Sequence, residues 1–374
     1  MEILEERLQD VTTQGKNQNI VTKRKRLLDL LLYAWMKKKW QKHKPVDISK
    51  FKPEKVRNIL VVSSTAIGDT LLSTPAIRAV RRQYPQARIV AHISSKYKDL
   101  FANNPDIDQI VPYCGGYKQF FKTIKEFRKH CFDAALIFHG NGPQAIPMAY
   151  LSSAPFILRY PVPQDYGFLL SHSKEPFDYW KEHVIIARLK TAELIGCSIE
   201  DTRMVLSVED DERDVINNFL SNYGVTRETR LVGFQSGASD DYKKWPAECF
   251  SSLGRMLLDS DQNITIILTG SPAEKKDCGK IVKNICAHGK NRVINAAGAL
   301  PLRYLKALVE RLDVLVTNDT GTMHVAIALG TKTVSLFCPT LASCIGPIQD
   351  MDRHIVIQKP RPCDDACIGK KCNT

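Results

Sequence analysis

Two strand-turn-helix segments, about 250 residues apart, constrain this chain more than any other feature. Near the N-terminus the apolar run Asn58-Ile-Leu-Val-Val62 enters Ser63-Ser-Thr-Ala-Ile-Gly-Asp-Thr70 and then a helical pattern. Near the C-terminus Val314-Leu-Val-Thr317 enters Asn318-Asp-Thr-Gly-Thr-Met-His324 and a second helical pattern. Each reads as a buried strand feeding a loop that opens a helix. That geometry aims backbone N–H groups and the positive end of a helix at an anion. Two such turns in separate halves predict two nucleotide-scale layers facing each other across a cleft.

Short apolar strands alternate with longer helices through both halves, which implies α/β architecture with parallel sheets covered on both faces. In the first half the expected strands are Ile59–Ser63, Arg88–Ile93, Gln109–Pro112 and Ala134–Phe138. The expected helices are Leu71–Tyr84, Lys96–Phe101, Phe120–Lys129 and Glu182–Ile195, with 139–180 read as irregular loop. Residues 197–230 are polar, carry a helix near Asp211–Tyr223, and divide the chain. In the second half strands are expected at Leu231–Phe234, Ile264–Thr269, Val293–Asn295, Val314–Thr317 and Thr333–Phe337. Helices are expected at Pro246–Asp259, Ala273–Cys286, Pro301–Arg311 and Met323–Leu329. At 374 residues the chain suits two domains. No Gly-x-Gly-x-x-Gly follows any strand, which argues against a nicotinamide oxidoreductase.

The formal charge of +13 favours an anionic partner: a phosphorylated substrate, an acidic membrane face or nucleic acid. Nucleic acid would explain the charge but not the turns, and is not expected. Residues 1–55 form a basic extension, in which 24–42 reads as an amphipathic helix with Leu27, Leu28, Leu31, Leu32, Trp35 and Met36 on one side. Such a helix lies on an anionic membrane surface or docks on the protein's own body, and its pattern alone does not separate the two. No apolar signal segment follows Met1, and Leu27–Met36, broken by Asp29, is too short to span a bilayer. Eleven cysteines without a short-spaced disulfide framework suggest a reducing cytosol.

In open parallel sheets, ligands sit at the carboxyl ends of the strands. The residues there are small, polar or glycine: Thr65-Ala-Ile-Gly-Asp69, Gln235-Ser-Gly-Ala-Ser239 followed by Lys243-Lys-Trp-Pro246, Gly270-Ser-Pro-Ala-Glu274, and Asn318 to His324. Gly68 permits a tight turn and close approach of substrate. Ser236, Gly237 and Ser239 are candidate donors to phosphate, as are Thr320 and Gly321 at a helix start. Lys243 or Lys244 would neutralise a departing diphosphate. Glu274 either holds ribose hydroxyls or complements a helix dipole. Asp319 is too anionic to face a diphosphate and either caps its helix or holds sugar hydroxyls. His324, one turn into that helix, would contact substrate in the same pocket.

The stretch Ile59 to Arg78, the Lys243-Lys-Trp-Pro246 turn, and Asn318 to Gly330 followed by Val334-Ser-Leu-Phe-Cys-Pro-Thr340 together resemble the bacterial heptosyltransferases of glycosyltransferase family 9. The resemblance covers roughly residues 57–345. It implies a GT-B fold, with two Rossmann-like domains and a cleft between them. It also implies inverting transfer of heptose from ADP-heptose to a lipopolysaccharide core acceptor without a divalent metal. On that pattern Asp69 is the general base rather than a helix cap, Lys243 meets the diphosphate, and Thr65 and Gly68 lie on the acceptor side. Residues 56–205 would be the acceptor domain, 225–345 the donor domain and 346–374 a Cys-containing tail. The partners implied are a nucleotide-sugar donor, a phosphorylated lipid-linked acceptor and an anionic membrane reached through the N-terminal helix. The place implied is the inner face of the bacterial inner membrane. The loop departs from the family pattern at Ser63-Ser-Thr65, where basic and apolar residues are usual. Cys344, Cys363, Cys367 and Cys372 are either free thiols or ligands of a structural Zn or Fe. A protein Ser/Thr acceptor, or a non-catalytic nucleotide-binding role, are the alternatives to the lipopolysaccharide reading.

Overall fold

The computed structural model describes residues 20–117, 119–140, 144–161, 165–172, 182–287 and 292–359. Its first sheet contains β1 (Asn58–Ser63), β2 (Arg88–Ser94), β3 (Gln109–Tyr113), β4 (Ala134–His139) and β5 (Phe156–Leu158). These pair in parallel in the order β3-β2-β1-β4-β5. Its second contains β6 (Arg230–Gln235), β7 (Ile264–Leu268), β8 (Val293–Asn295), β9 (Val314–Asn318), β10 (Lys332–Phe337) and β11 (His354–Gln358). Here the order is β11-β10-β9-β6-β7-β8, again all parallel. Both sheets therefore reverse direction beside their first strand, which opens a crevice at the strand ends.

The helices in chain order are α1 (Ile20–Lys42), α2 (Ile67–Leu71), α3 (Thr74–Gln83), α4 (Phe120–Arg128), α5 (Ala145–Leu151), α6 (Val184–Glu193), α7 (Asp210–Ser221), α8 (Ala247–Ser260), α9 (Lys275–Cys286), α10 (Leu305–Glu310), α11 (Gly321–Leu329) and α12 (Ala342–Ile345). The strands read as unbroken apolar runs because both sheet faces are covered. Ile59 and Val61 of β1 join one core cluster, while Leu60 and Val62 join another on the opposite face. The first of these clusters continues through Ile185 and Leu189 of α6 to Leu231 and Leu315 of the second sheet. The two lobes thus share apolar packing rather than a bare linker.

Several expectations need correction. The helix expected over Leu71–Tyr84 is two helices, because Pro75 has no N–H for the Leu71 carbonyl, which accepts instead from the Thr74 hydroxyl at 2.7 Å. The stretch expected as loop, 139–180, contains α5 and β5, since Ile157 and Leu158 are needed to complete the buried edge. Lys96–Phe101 contributes only a single 3₁₀ turn, Lys98–Leu100. The edge strand β11 was not expected; Ile355 and Ile357 alternate with inward residues but face outward at 61% and 53% exposure.

Helix α1 divides its apolar residues instead of gathering them on one side. Leu32 and Met36 are buried against the first lobe, and Tyr33 and Trp40 pack edge-on to Phe168 at 5.7 Å. Leu27, Leu28 and Leu31 remain exposed. No helix among the described residues is long and apolar enough to cross a membrane. At the other end, residues 346–350 return to the first lobe. The Gly346 carbonyl lies 3.0 Å from His183 Nε2, and Gln349 accepts from the Met204 N–H at 2.8 Å.

Candidate active site

The two turns singled out in the sequence face each other across one cavity of about 650 Å³, a volume suited to a nucleotide-sized ligand. Gly68 and Asp69 line it from the first lobe. Ser239, Lys243, Glu274, Asp319, Thr320, Gly321 and His324 line it from the second. Glycine sits where the lobes approach closely. A Cβ on Gly68 would fall 2.6 Å from His324 Cδ2, and one on Gly321 would fall 3.1 Å from Ile67 Cβ.

Asp69 is the third residue of α2, so its carboxylate points back toward the β1–α2 loop, 3.5 Å from the Ala66 N–H. Thr65 Oγ1 lies 2.7 Å from Asp69 Oδ2 and 2.7 Å from His139 Nδ1. One arrangement satisfies all three groups, because an ionised carboxylate only accepts. His139 Nδ1–H donates to Thr65, and the Thr65 hydroxyl donates to Asp69. The His139 Nε2 lone pair then lies 3.7 Å from Asp69 Oδ1. Arg188, from the middle of α6, donates to the Asp69 carbonyl at 2.6 Å and approaches Oδ1 at 3.4 Å.

The electrostatics follow from these contacts. Burial alone would raise the Asp69 carboxyl. His139 and Arg188 nearby, with the Thr65 hydroxyl and the Ala66 N–H, outweigh burial and hold it below the usual carboxylate value. Burial pushes His139 down to about 4, so it is neutral near pH 7 and Arg188 is the lasting positive charge. His324 is likewise pushed down to about 4 by burial, and its buried Nδ1 has no hydrogen-bond partner among the described residues.

On the opposite rim Lys243 Nζ donates to Asp319 Oδ2 at 2.7 Å. Asn318 explains this placement. Its Oδ1 accepts from the Trp245 N–H at 3.0 Å, and its Nδ2 donates to the Ser236 carbonyl at 2.9 Å. One buried amide thereby ties the Lys243 turn and the Ser236 turn to the end of β9. Asp319 does not cap α11: the cap position is Thr320, which makes no side-chain capping bond. Glu274 Oε2 accepts from Ser271 N–H at 2.6 Å and Ser271 Oγ at 2.7 Å, while Oε1 lies against Gly237. A Cβ on Gly237 would fall 1.5 Å from that oxygen.

Three sequence candidates do not line the cavity. Thr65 stands behind Asp69. Ser236 turns its hydroxyl to Cys278 Sγ at 3.7 Å, and Gly237 serves Glu274. Ser239 lines the cavity, with its hydroxyl donating to Asp240 at 2.7 Å. Cys344 is buried on α12, whereas Cys363, Cys367 and Cys372 lie outside the described residues. No group of three His, Cys, Asp or Glu suited to a metal occurs among the described residues.

Sequence reasoning missed His139 and Arg188, although both left a signal. His139 is the residue that ends β4 beside the Asp69 turn, and a register shift between Val62 and Ser63 sets it opposite Ser63. Arg188 falls on the stripe Ile185, Leu189, Ala192 that α6 buries. A guanidinium on a core stripe needs an acceptor.

A model of glycosyltransferase family 9 (heptosyltransferase) matches residues 121–372. The lipopolysaccharide heptosyltransferase 2 of Salmonella typhimurium is 23% identical over 312 residues, covering 79% of this chain and 87% of that protein. Among solved structures, a family 9 glycosyltransferase from Veillonella parvula superposes with a TM-score of 0.71 at 23% identity, over 81% of this chain and 86% of the other. The E. coli ADP-heptose heptosyltransferase II gives 0.69 at 22% identity, over 80% and 90%. The fold is thus that of these two-lobed GT-B enzymes.

Proposed function

From the premise that this chain belongs to glycosyltransferase family 9, we propose that it transfers a heptose from ADP-heptose to a lipopolysaccharide core acceptor, with inversion and without a metal. The observation that carries this reading is the opposed polarity of one cavity: a carboxylate, Asp69, on one rim and an ammonium, Lys243, on the other. The names borne by the relatives supply the sugar and the acceptor.

In the proposed reaction the acceptor hydroxyl attacks the anomeric carbon from the side of Asp69. Asp69 takes the hydroxyl proton as the new C–O bond forms. The bond from the anomeric carbon to the diphosphate breaks, and its electron pair leaves on ADP. Asp319 takes one of the three Lys243 hydrogens, leaving two for the diphosphate. The N–H groups of Thr320 and Gly321 at the start of α11 add to that stabilisation. Glu274 Oε1 holds ribose hydroxyls and His324 contacts the sugar. Arg188 and the Thr65 hydroxyl keep Asp69 ionised, His139 aims the Thr65 hydroxyl at it, and His139 Nε2 accepts from Asp69 once it is protonated.

Residues 56–205 would then serve the acceptor and 225–345 the donor. The basic extension would hold the enzyme on the inner face of the inner membrane, where a lipid-linked acceptor is found. The test is to measure nucleoside diphosphate release from ADP-heptose, UDP-sugars and GDP-sugars, with and without lipid-linked core acceptor and with a chelator present. Acceptor-dependent ADP release that survives the chelator is expected. Release from a UDP- or GDP-sugar alone, or a strict metal requirement, would overturn the reading.

A further inference from the structure

Helices α1 and α4 form a face that the proposed chemistry does not use. Leu27, Leu28 and Leu31 on α1 are 56%, 37% and 57% exposed, and Phe121 on α4 is 70% exposed. The two helices meet through side chains. The Tyr117 hydroxyl, just before α4, donates to Asp29 of α1, and the Phe121 ring lies 6.2 Å from Trp35. Farther along the same pair, Lys39, His43, Lys44 and Arg128 meet Tyr150 and Ser153 around a cavity of about 250 Å³. One helix pair therefore presents an apolar end and a cationic end.

The charge on this face is one-sided. Residues 27–44 and 120–129 hold nine Lys or Arg against two carboxylates, Asp29 and Glu126. Both carboxylates are already occupied, Asp29 by Tyr117 and Glu126 by Lys129 at 2.7 Å. Lys39 and Lys44 lie over the rings of Trp35 and Trp40 at 5.6 and 5.2 Å. Amphipathic aromatics flanked by lysines suit the boundary between water and acyl chains. A second copy of the chain would bring like charges together, whereas an anionic lipid surface matches them.

Resting on the membrane reading above, we propose that α1 and α4 together form one docking surface for an anionic phospholipid bilayer. Leu27, Leu31 and Phe121 enter the acyl boundary, and the cavity between Lys39, Lys44 and Arg128 takes a lipid phosphate. The surface is thus composite. The second helix, from within the first lobe, fixes how that lobe stands on the membrane.

The test is flotation of the full chain with vesicles of phosphatidylcholine, and of phosphatidylcholine mixed with phosphatidylglycerol. Binding only to the mixed vesicles, lost in high salt, is expected. Phe121→Ser should weaken it on the order of ten-fold, and Lys39→Glu with Lys44→Glu by about five-fold or more per lysine. Unchanged thermal unfolding checks that the variants fold. Should the wild type float while all three substitutions leave binding intact, the composite surface is wrong and α1 binds by other residues. Failure of the wild type to float on either vesicle overturns the membrane reading as well. A dimer that Phe121→Ser converts to monomer would make the patch a self-interface and also overturn the proposal.

Discussion

The two rims of the cleft each hold a carboxylate and a cation, but in opposite arrangement. At Asp69 the cation is hidden: the Arg188 side chain is 4% exposed and the carboxylate 28%. At Lys243 the carboxylate is hidden: Asp319 is 5% exposed and the ammonium 19%. The same pairing of residue types therefore offers negative charge to the cleft on one side and positive charge on the other. Which member is buried decides what each rim can do. A hidden cation favours the ionised form of a half-buried carboxylate, as the proposed base needs. A hidden carboxylate fixes a half-buried ammonium at the cavity edge, as the proposed diphosphate contact needs.

The sharpest way to break this comparison is Asp69→Asn. Loss of the proposed base should lower kcat by about 10²–10⁴-fold, with ADP-heptose affinity little changed; turnover and calorimetric donor binding read the two separately. Next in size is Lys243→Met, which should lower kcat by about 10²-fold through lost stabilisation of the leaving group and should also destabilise the fold by leaving Asp319 buried without its partner. Adding Asp319→Asn should restore the melting temperature but not the rate. An equal recovery of both would mean that Lys243 is only structural.

Arg188→Gln tests the hidden cation. Asp69 is held below its ordinary value in part by Arg188, so the acid limb of the kcat/KM profile should move to higher pH. The loss should be on the order of ten-fold below pH 6 and smaller above it, and Arg188→Lys should recover part of it. An unshifted limb would leave Arg188 a packing residue.

Acid should also separate the lobes. His92, His139 and His183 in the first lobe and His324 in the second are each pushed by burial to about 4. Their folded values lie below the unfolded value near 6.5. Between these values the unfolded chain binds more protons, so stability falls as pH drops from 6.5 toward 4. The slope is at most about 1.4 kcal/mol per pH unit per histidine. Hydrogen exchange at pH 5 against pH 7.5 should therefore loosen the first lobe more than the second. The smallest effect expected is that of Gly68→Ala, which must displace His324 and should cost about 1–3 kcal/mol in thermal unfolding.

Much of this was legible in the chain. Apolar runs flanked by turn residues located nine of the eleven strands because strands buried on both faces must be apolar throughout. The strands overlooked, β5 and β11, lie at sheet edges and are short or half exposed, where that requirement lapses. Asp69, Lys243 and the Thr320-Gly321 turn were legible as cavity-lining positions because the loops that carry them leave the carboxyl ends of strands, where a parallel sheet opens its crevice. Ser236 sits at the same kind of position, yet its hydroxyl turns away to Cys278, because sequence spacing places a backbone without choosing a rotamer. His139 and Arg188 were overlooked because what they touch lies 70 and 119 positions away from them.

Local pattern by itself therefore determined the two parallel sheets, the opposed turns and the family motifs, since these depend on neighbours within a few residues. Only the tertiary structure decided which charge of each ion pair is hidden, that Asn318 ties two turns together, and that α1 buries Leu32 and Met36 while leaving Leu27 and Leu31 in water. Those outcomes depend on which distant segments exclude solvent, and solvent exclusion is a property of packed surfaces rather than of sequence order.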